Sequence, residues 1–443
     1  MKAALGILLG ATLLLWPALL NGYPLVFSDT GAFLAQTVGG WSIWDKPLVF
    51  GPLLHAFHGR VTLWLPLAAQ GLALSWLVWL VQRSLGGATA GRHVLLCAGL
   101  AAATAAPWFA ALLLPDWLAP ALVLALYLLG FAWEALHPVE RGGVALLALL
   151  AAAAHLSHLP IAAALVLLVL AARRDWRPAL RCAFPLLGAM ALLLATNAWA
   201  HGRWALSPYG AVFALARLVA DGPAARTIEA RCPEAGWHLC GWAGRLPRDS
   251  DEFLWSGEGP VWAARADDAT PGGPIALAPE AAAILAETLR REPLGVLRAG
   301  AGNAWRQLGM ARVGDTLGPE NLQVSVGQQL ALGFPAAEQA RFAAGLQARG
   351  ELGAAAAPFL ALHPAALLLG LAGTLLACWR ARGRQLGLVL CVLVGLGANA
   401  VATGALSGPH DRYQARIAWL LPLASLLAGP FARRDDEMRG AAA

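Results

Sequence analysis

Apolar runs of about twenty residues, almost free of charge, recur along the chain; 61–82, 182–199 and 386–406 carry no Asp, Glu, Lys or Arg at all. A helix of that length spans a bilayer's hydrocarbon core, and inside it every backbone polar group must be paired within the segment. Composition agrees: 58% of the 443 residues are apolar and only 13% charged, against about 25% charged in an average soluble domain. The mean hydropathy is +0.60. A soluble single-domain protein is excluded, and the expected fold is an all-α polytopic membrane protein.

Ten spans are expected, several short or broken by proline: 3–20, 61–82, 93–114, 117–136, 143–157, 159–172, 182–199, 361–379, 386–406 and 417–432. The 32 Lys and Arg outnumber the 26 Asp and Glu by six, but most of the positive charge falls at span ends, so nucleic acid is not an expected partner. With the N-terminus inside, fourteen basic residues lie in cytoplasmic segments: Lys2, Arg83, Arg92, Arg141, Arg173, Arg174, Arg177, Arg181, Arg380, Arg382, Arg384, Arg433, Arg434 and Arg439. The short outer loops hold four, Lys46, Arg60, Arg412 and Arg416. Positive charge accumulates on the cytoplasmic side, so both termini are expected there. The first span runs on into Asn21-Gly22-Tyr23-Pro24 without a small-x-small cleavage site and reads as an anchor.

Three regions are expected: a transmembrane part at 1–199 with its first outer loop at 21–60, a periplasmic α-rich segment at 200–360, and a second transmembrane part at 361–443. Helices are expected near 209–219, 279–291, 294–310 and 336–349. The long segment contains no phosphate-binding glycine motif, no metal-ligand spacing and no nucleophile elbow. Cys232 and Cys240 lie within it with seven residues between them, which in an oxidising periplasm reads as a local disulfide; the alternative, a Cys/His metal site with His238, lacks the spacing of a zinc signature.

The outer loops carry the residues that suit chemistry. In the first loop, Ser28 or Asp29 can cap a short helix from about Thr30 to Val38, and a second short helix follows Pro47; their Phe, Leu and Trp suit the membrane interface. Asp29 has two readings, a helix cap or a partly desolvated carboxylate of raised pKa that takes a proton from an acceptor hydroxyl. Asp116, in the turn between the third and fourth spans, has the same two readings: it can cap the fourth helix, or, because it returns to the same face, join Asp29 as a second catalytic carboxylate where a metal or an acceptor binds. His155 and His158 form the tip between two short spans, which suggests re-entrant helices meeting a cavity. His55 and His58 repeat the three-residue spacing. Such pairs can hold a divalent cation with Asp29 or Asp116, or act as interfacial hydrogen-bonding groups. The last outer loop brings His410, Arg412, Tyr413 and Arg416; the two guanidiniums, one helical turn apart, suit an anionic headgroup or snorkel at the interface.

The first span running into a short outer helix with an acid, the segment Pro47-Leu-Val-Phe-Gly-Pro52-Leu-Leu54, and a late outer Arg412-Tyr413 before a proline-containing span together resemble the GT-C-type membrane-integral glycosyltransferases, a superfamily that includes protein O-mannosyltransferases and bacterial lipid A aminoarabinose transferases. Asn21-Gly-Tyr-Pro-Leu25 to Asp29-Thr-Gly31, Pro115-Asp116 and Asp251-Glu-Phe-Leu-Trp255 resemble, more specifically, an uncharacterised group of bacterial inner-membrane proteins. The resemblance implies transfer of a sugar from a polyprenyl-phosphate donor to a glycan, lipid or protein acceptor at the periplasmic face. It implies Asp29 as base and Arg412 with Tyr413 on the lipid phosphate. Two departures are visible: Ser28 stands where many members carry a second acid, and Asp45-Lys46-Pro47 replaces a His-Pro-Pro. From a different class, a lipid-linked-glycan transporter or a non-catalytic assembly factor also fits an apolar chain. A transporter, however, places charged or broken helices near mid-membrane, and here the polar groups cluster at one face.

Overall fold

A computed structural model describes residues 1–263 and 272–428. The protein is all-helical: helix makes up 75%, with no strand among the described residues. Three helices, Trp64–Ser84, Trp176–His201 and Gly383–Ala405, are long and apolar enough to cross a membrane. A fourth crossing exists if Leu352–Leu360 and His363–Arg380, bent by 42°, form one span. The remaining expected spans are shorter apolar helices, among them Lys2–Leu14, Ala90–Ala103, Pro115–Phe131 and His158–Arg173. The end of the expected last span, beyond 428, and Arg433, Arg434 and Arg439 lie outside the described residues.

Proline explains where the expected spans fragment. Pro17 starts a new short helix at Trp16–Asn21, after Lys2–Leu14 has ended. The expected continuous span 93–114 is corrected in the same way. Helix Ala90–Ala103 stops, Pro107 opens the five-residue helix Ala106–Ala110, and Thr104 Oγ1 accepts the Ala106 N–H. A proline has no N–H to continue the ladder and excludes the preceding turn's carbonyl. The chain from 105 to 114 is nevertheless buried, so its irregular backbone needs internal partners. Gln70 Nε2 donates to Ala110 O (2.7 Å) and Leu112 O (2.9 Å), and Thr30 Oγ1 donates to Leu113 O. The extended stretch before Ser28 clamps onto the same segment: Leu25 N–H donates to Ala111 O and Leu113 N–H to Leu25 O.

One large core joins the apolar helices. The expected 200–360 unit divides between two cores. Residues from Tyr209 to Leu285 bury a separate cluster around Val212, Phe253, Leu254 and Ile284, forming a helical cap that carries the Cys232–Cys240 disulfide. Residues from about 311 to 356, including Leu317, Val326, Phe342 and Leu352, pack into the main core instead. Two buried side chains there hold the first loop. Gln347 accepts the Val26 N–H and donates to Val26 O, while Glu338 accepts from Tyr23 Oη, Thr62 Oγ1 and Leu63 N–H.

The two ends of the bundle differ. At one end Arg83 pairs with Glu140, Arg141 and Arg181 lie on the Trp133 ring at 4.6 and 4.5 Å, and Arg384 donates to Ser84 O. The 21–60 loop, the 115–117 turn, the 155–157 tip and the 407–416 loop meet around one cavity at the other end.

Candidate functional site

The site begins with a helix that frees its acid. Helix Ser28–Val38 starts on Phe27, whose N–H is accepted by Thr30 Oγ1 at 2.9 Å, and no Ser28 or Asp29 side chain caps it. The capping reading of Ser28 and Asp29 is thereby corrected. Asp29 sits in the first turn, where a carboxylate is favoured by the unpaired N–H groups. Its own oxygens face cations: Oδ1 lies 3.2 Å from Lys46 Nζ and Oδ2 lies 3.8 Å from Arg412 Nη1. Burial works to raise the Asp29 pKa, but the Lys46 and Arg412 charges outweigh it and hold the carboxyl below its ordinary value. The expected raised pKa is therefore replaced by a lowered one. The Lys46 ammonium and the Arg412 guanidinium are penalised by burial and, in return, held more firmly charged by their acidic partners.

Close packing fixes that helix. Gly31 lies against the backbone of Ser325 in the π-turn Gln323–Gly327, with a Cβ position 2.5 Å from Ser325 C. Gly51 brings helix Phe50–His58 equally near Phe33 O. The loop between these two helices then returns Asp45 and Lys46 to Asp29, with Lys46 Nζ 2.5 Å from Asp45 Oδ2.

The second acid comes from the opposite wall. Pro115 opens a single 3₁₀ turn, Pro115–Trp117, that holds Asp116 at 5% exposure. Its Oδ1 lies 3.4 Å from Arg416 Nη1 and 3.9 Å from Arg412 Nε. Both arginines stand on helix Asp411–Ala418, one turn apart, and both face Asp116. Arg416 is wholly buried; its Nη2 donates to Ser157 Oγ (3.0 Å) and Asn399 Oδ1 (2.9 Å). It neither snorkels nor lines the cavity, so its expected place on a lipid phosphate is corrected to a positioning role beneath Asp116. Arg412 does line the cavity, stacked on Phe27 at 4.6 Å and Tyr413 at 5.0 Å, with Nη1 buried and without a hydrogen-bond partner.

These residues border two adjoining cavities that share Asp29, Lys46, Phe213, Ser407, Arg412 and Tyr413. The inner one, about 330 Å³, is walled by Phe33, Leu114, Leu156, Ala402 and Leu406, with Asp45, Asp116, His155, Ser157 and the exposed Ser207 as its further polar groups. The outer one, about 580 Å³, lies under the cap and adds Phe27, Asp251, Trp255, Asp315, Asn321 and His410.

The histidines separate. His155 lines the inner cavity, its Nδ1 2.7 Å from Ser157 Oγ and accepting the Ser157 N–H. His158 is buried away from it, Nδ1 bonded to Ala151 O at 2.7 Å. His410 is in the outer cavity, 3.7 Å from Asp251. His55 and His58 do not reach Asp29 or Asp116. Their rings pack on each other, His58 lies against Phe334, and its Nδ1 accepts the Arg60 N–H. Burial, then His55 and Arg60, push the His58 imidazole down to about 4. Helix Phe50–His58 faces the core with this end, so the i, i+3 spacing marks packing, and His55, His58 and His158 are corrected from substrate contacts to structural groups. Among the described residues no three His, Cys, Asp or Glu gather in a way that could hold a metal ion; the site's acids pair with Lys and Arg instead.

Sequence reasoning missed Asp45, Ser157 and the cap's contribution. Asp45 could have been found as an adjacent acid–base pair, Asp45-Lys46, inside an apolar loop. Nothing local marks Ser157 or Phe213, which reach the site only through tertiary packing. No family model matches the chain, and neither a curated protein nor a solved structure matches it.

Proposed function

We propose that the protein is a membrane-integral glycosyltransferase of GT-C type that moves a sugar from a polyprenyl-phosphate donor to an acceptor hydroxyl at the outer face of a bacterial inner membrane. The observation that carries this reading is Asp29: an ionised carboxylate without a capping bond, in a cavity it shares with Arg412 and Tyr413 at one end of an apolar helical bundle. The donor phosphate sits on Arg412 and Lys46, and Tyr413 lies beside it. Asp29 accepts the acceptor's hydroxyl proton while that oxygen bonds the anomeric carbon. The anomeric C–O bond breaks toward the phosphate, which leaves as polyprenyl phosphate with its charge met by the same two cations. Asp116 and Arg416 hold Arg412 in place.

The apolar inner walls suit the first part of a prenyl tail, and the cavity's acids lie beside Lys46, Arg412 and Arg416. In this reading the bundle crosses the membrane ten times, with the short and broken helices completing the three clear spans, and both termini are cytoplasmic. The gathering of Arg83, Arg141, Arg181 and Arg384 at the end away from the cavity supports that orientation. Thiol labelling at Arg83→Cys and Ser207→Cys in a chain whose free cysteines are removed checks it. Ser207→Cys is expected to react in intact cells and Arg83→Cys only after lysis; the reverse pattern contradicts the orientation.

Retention of the lipid tests the site itself. Arg412→Ala removes a charge-assisted hydrogen-bond donor of about 1.5–3 kcal/mol, or roughly ten- to a hundredfold in affinity. Native mass spectrometry of protein purified from membranes is expected to find polyprenyl phosphate on the wild type and little on the variant. Equal retention contradicts the assignment.

A further inference from the structure

The geometry points to a carbohydrate as the acceptor, bound in the outer cavity against Trp255. This inference rests on the glycosyltransferase reading and gives the acceptor a chemical class. Trp255 closes the cap helix Ser250–Trp255 and is 48% exposed although it lies beside the cap's core. Its ring is backed by Trp44, with centroids 5.8 Å apart, and Trp44 is itself stacked on Phe213 at 5.1 Å. A supported indole left open to a cavity can present its π-face, whose quadrupole is negative, to the electropositive C–H face of a sugar ring.

The cavity's polar groups suit the edge of the same ring. Asp251 accepts hydroxyl protons, Asn321 can both donate and accept, and His410 stands 3.7 Å from Asp251. A lipid acceptor would need apolar walls along its tail, and the outer cavity offers aromatic faces between charged groups. Its volume of about 580 Å³ is within the ordinary range for a small-molecule site. The sugar's free hydroxyl would then lie toward Asp29, which both cavities share.

Saturation-transfer NMR on the full-length protein in phosphatidylglycerol nanodiscs tests this, with the methyl glycosides of glucose, galactose, mannose and N-acetylglucosamine as probes. Transfer to the ring C–H protons of at least one glycoside is expected. Trp255→Ala should weaken its binding roughly 2- to 12-fold, and Trp255→Phe should restore most of it. Signal from none of the four, signal undiminished in Trp255→Ala, or saturation confined to the nanodisc lipid overturns the inference. Because no polyprenyl donor is present, binding is read separately from transfer: glycoside binding by a wild-type protein that transfers nothing when donor is supplied would remove the catalytic reading and leave the sugar site standing.

Discussion

At the scale of single residues, two arginines one turn apart have different work. Arg412 opens into the cavity, whereas Arg416 is wholly buried and ties Asp116 to Ser157 and Asn399. Removing one partner of a buried pair leaves the other charge uncompensated, at a cost of about 3–5 kcal/mol. Arg416→Ala should therefore lower thermal stability sharply, with Arg412→Ala affecting lipid retention more than unfolding. A calorimetric scan showing both variants equally stable would contradict the assignment. Asp29 adds a pH signature. Its folded pKa is depressed, so its ion pairs stabilise the protein above the unfolded value of about 3.9. That contribution fades as pH falls through the lower folded value. Between pH 5 and 8 the Asp29 pairs should leave stability flat, and Asp29→Asn should flatten the loss seen below pH 4. An unchanged acid limb in the variant would show that the pairs do not form.

At the scale of elements, the site depends on how closely helix Ser28–Val38 meets its neighbours. A Cβ at Gly31 would fall 2.5 Å from the Ser325 backbone, so Gly31→Ala must push the helix outward. Overpacking of this kind costs about 1–3 kcal/mol, and it should reduce activity along with the melting temperature because Asp29 moves with the helix. A variant that melts lower yet remains fully active would show that the helix position is not critical. The all-helical, apolar class was legible in the sequence, because hydropathy identifies apolar helices, whereas the breaks at Pro17 and Pro107 fell inside the expected spans 3–20 and 93–114. The convergence of Asp29, Asp116, His155 and Arg412 was legible too, since alternate loops of a helical bundle return to one end. Gln347 and Glu338 were not. A polar side chain that satisfies irregular backbone more than 270 residues away leaves no local pattern, and the split of 200–360 between two cores is invisible for the same reason. The histidine pairs misled because i, i+3 spacing describes a helix face without saying which way it points.

At the scale of the whole molecule, an apolar bundle, a cap with its own core and a charged cavity between them form one functional arrangement. Trp44 links them: it belongs to the first loop, two residues from Lys46, yet its ring is stacked among the cap's aromatics. The cap thereby holds the loop that supplies Lys46 to Asp29. The central claim is that Asp29 is the base of a sugar transfer, and the direct measurement is transfer from polyprenyl-phosphate-linked sugar to a glycan acceptor in proteoliposomes. Wild type is to be compared with Asp29→Asn at matched thermal stability. A positioned base contributes about 10²- to 10⁴-fold, and an amide cannot take up the acceptor's proton. Asp29→Asn is expected to fold, with no cap to lose, and to fall in rate by that factor. Transfer at the wild-type rate by Asp29→Asn would contradict the account.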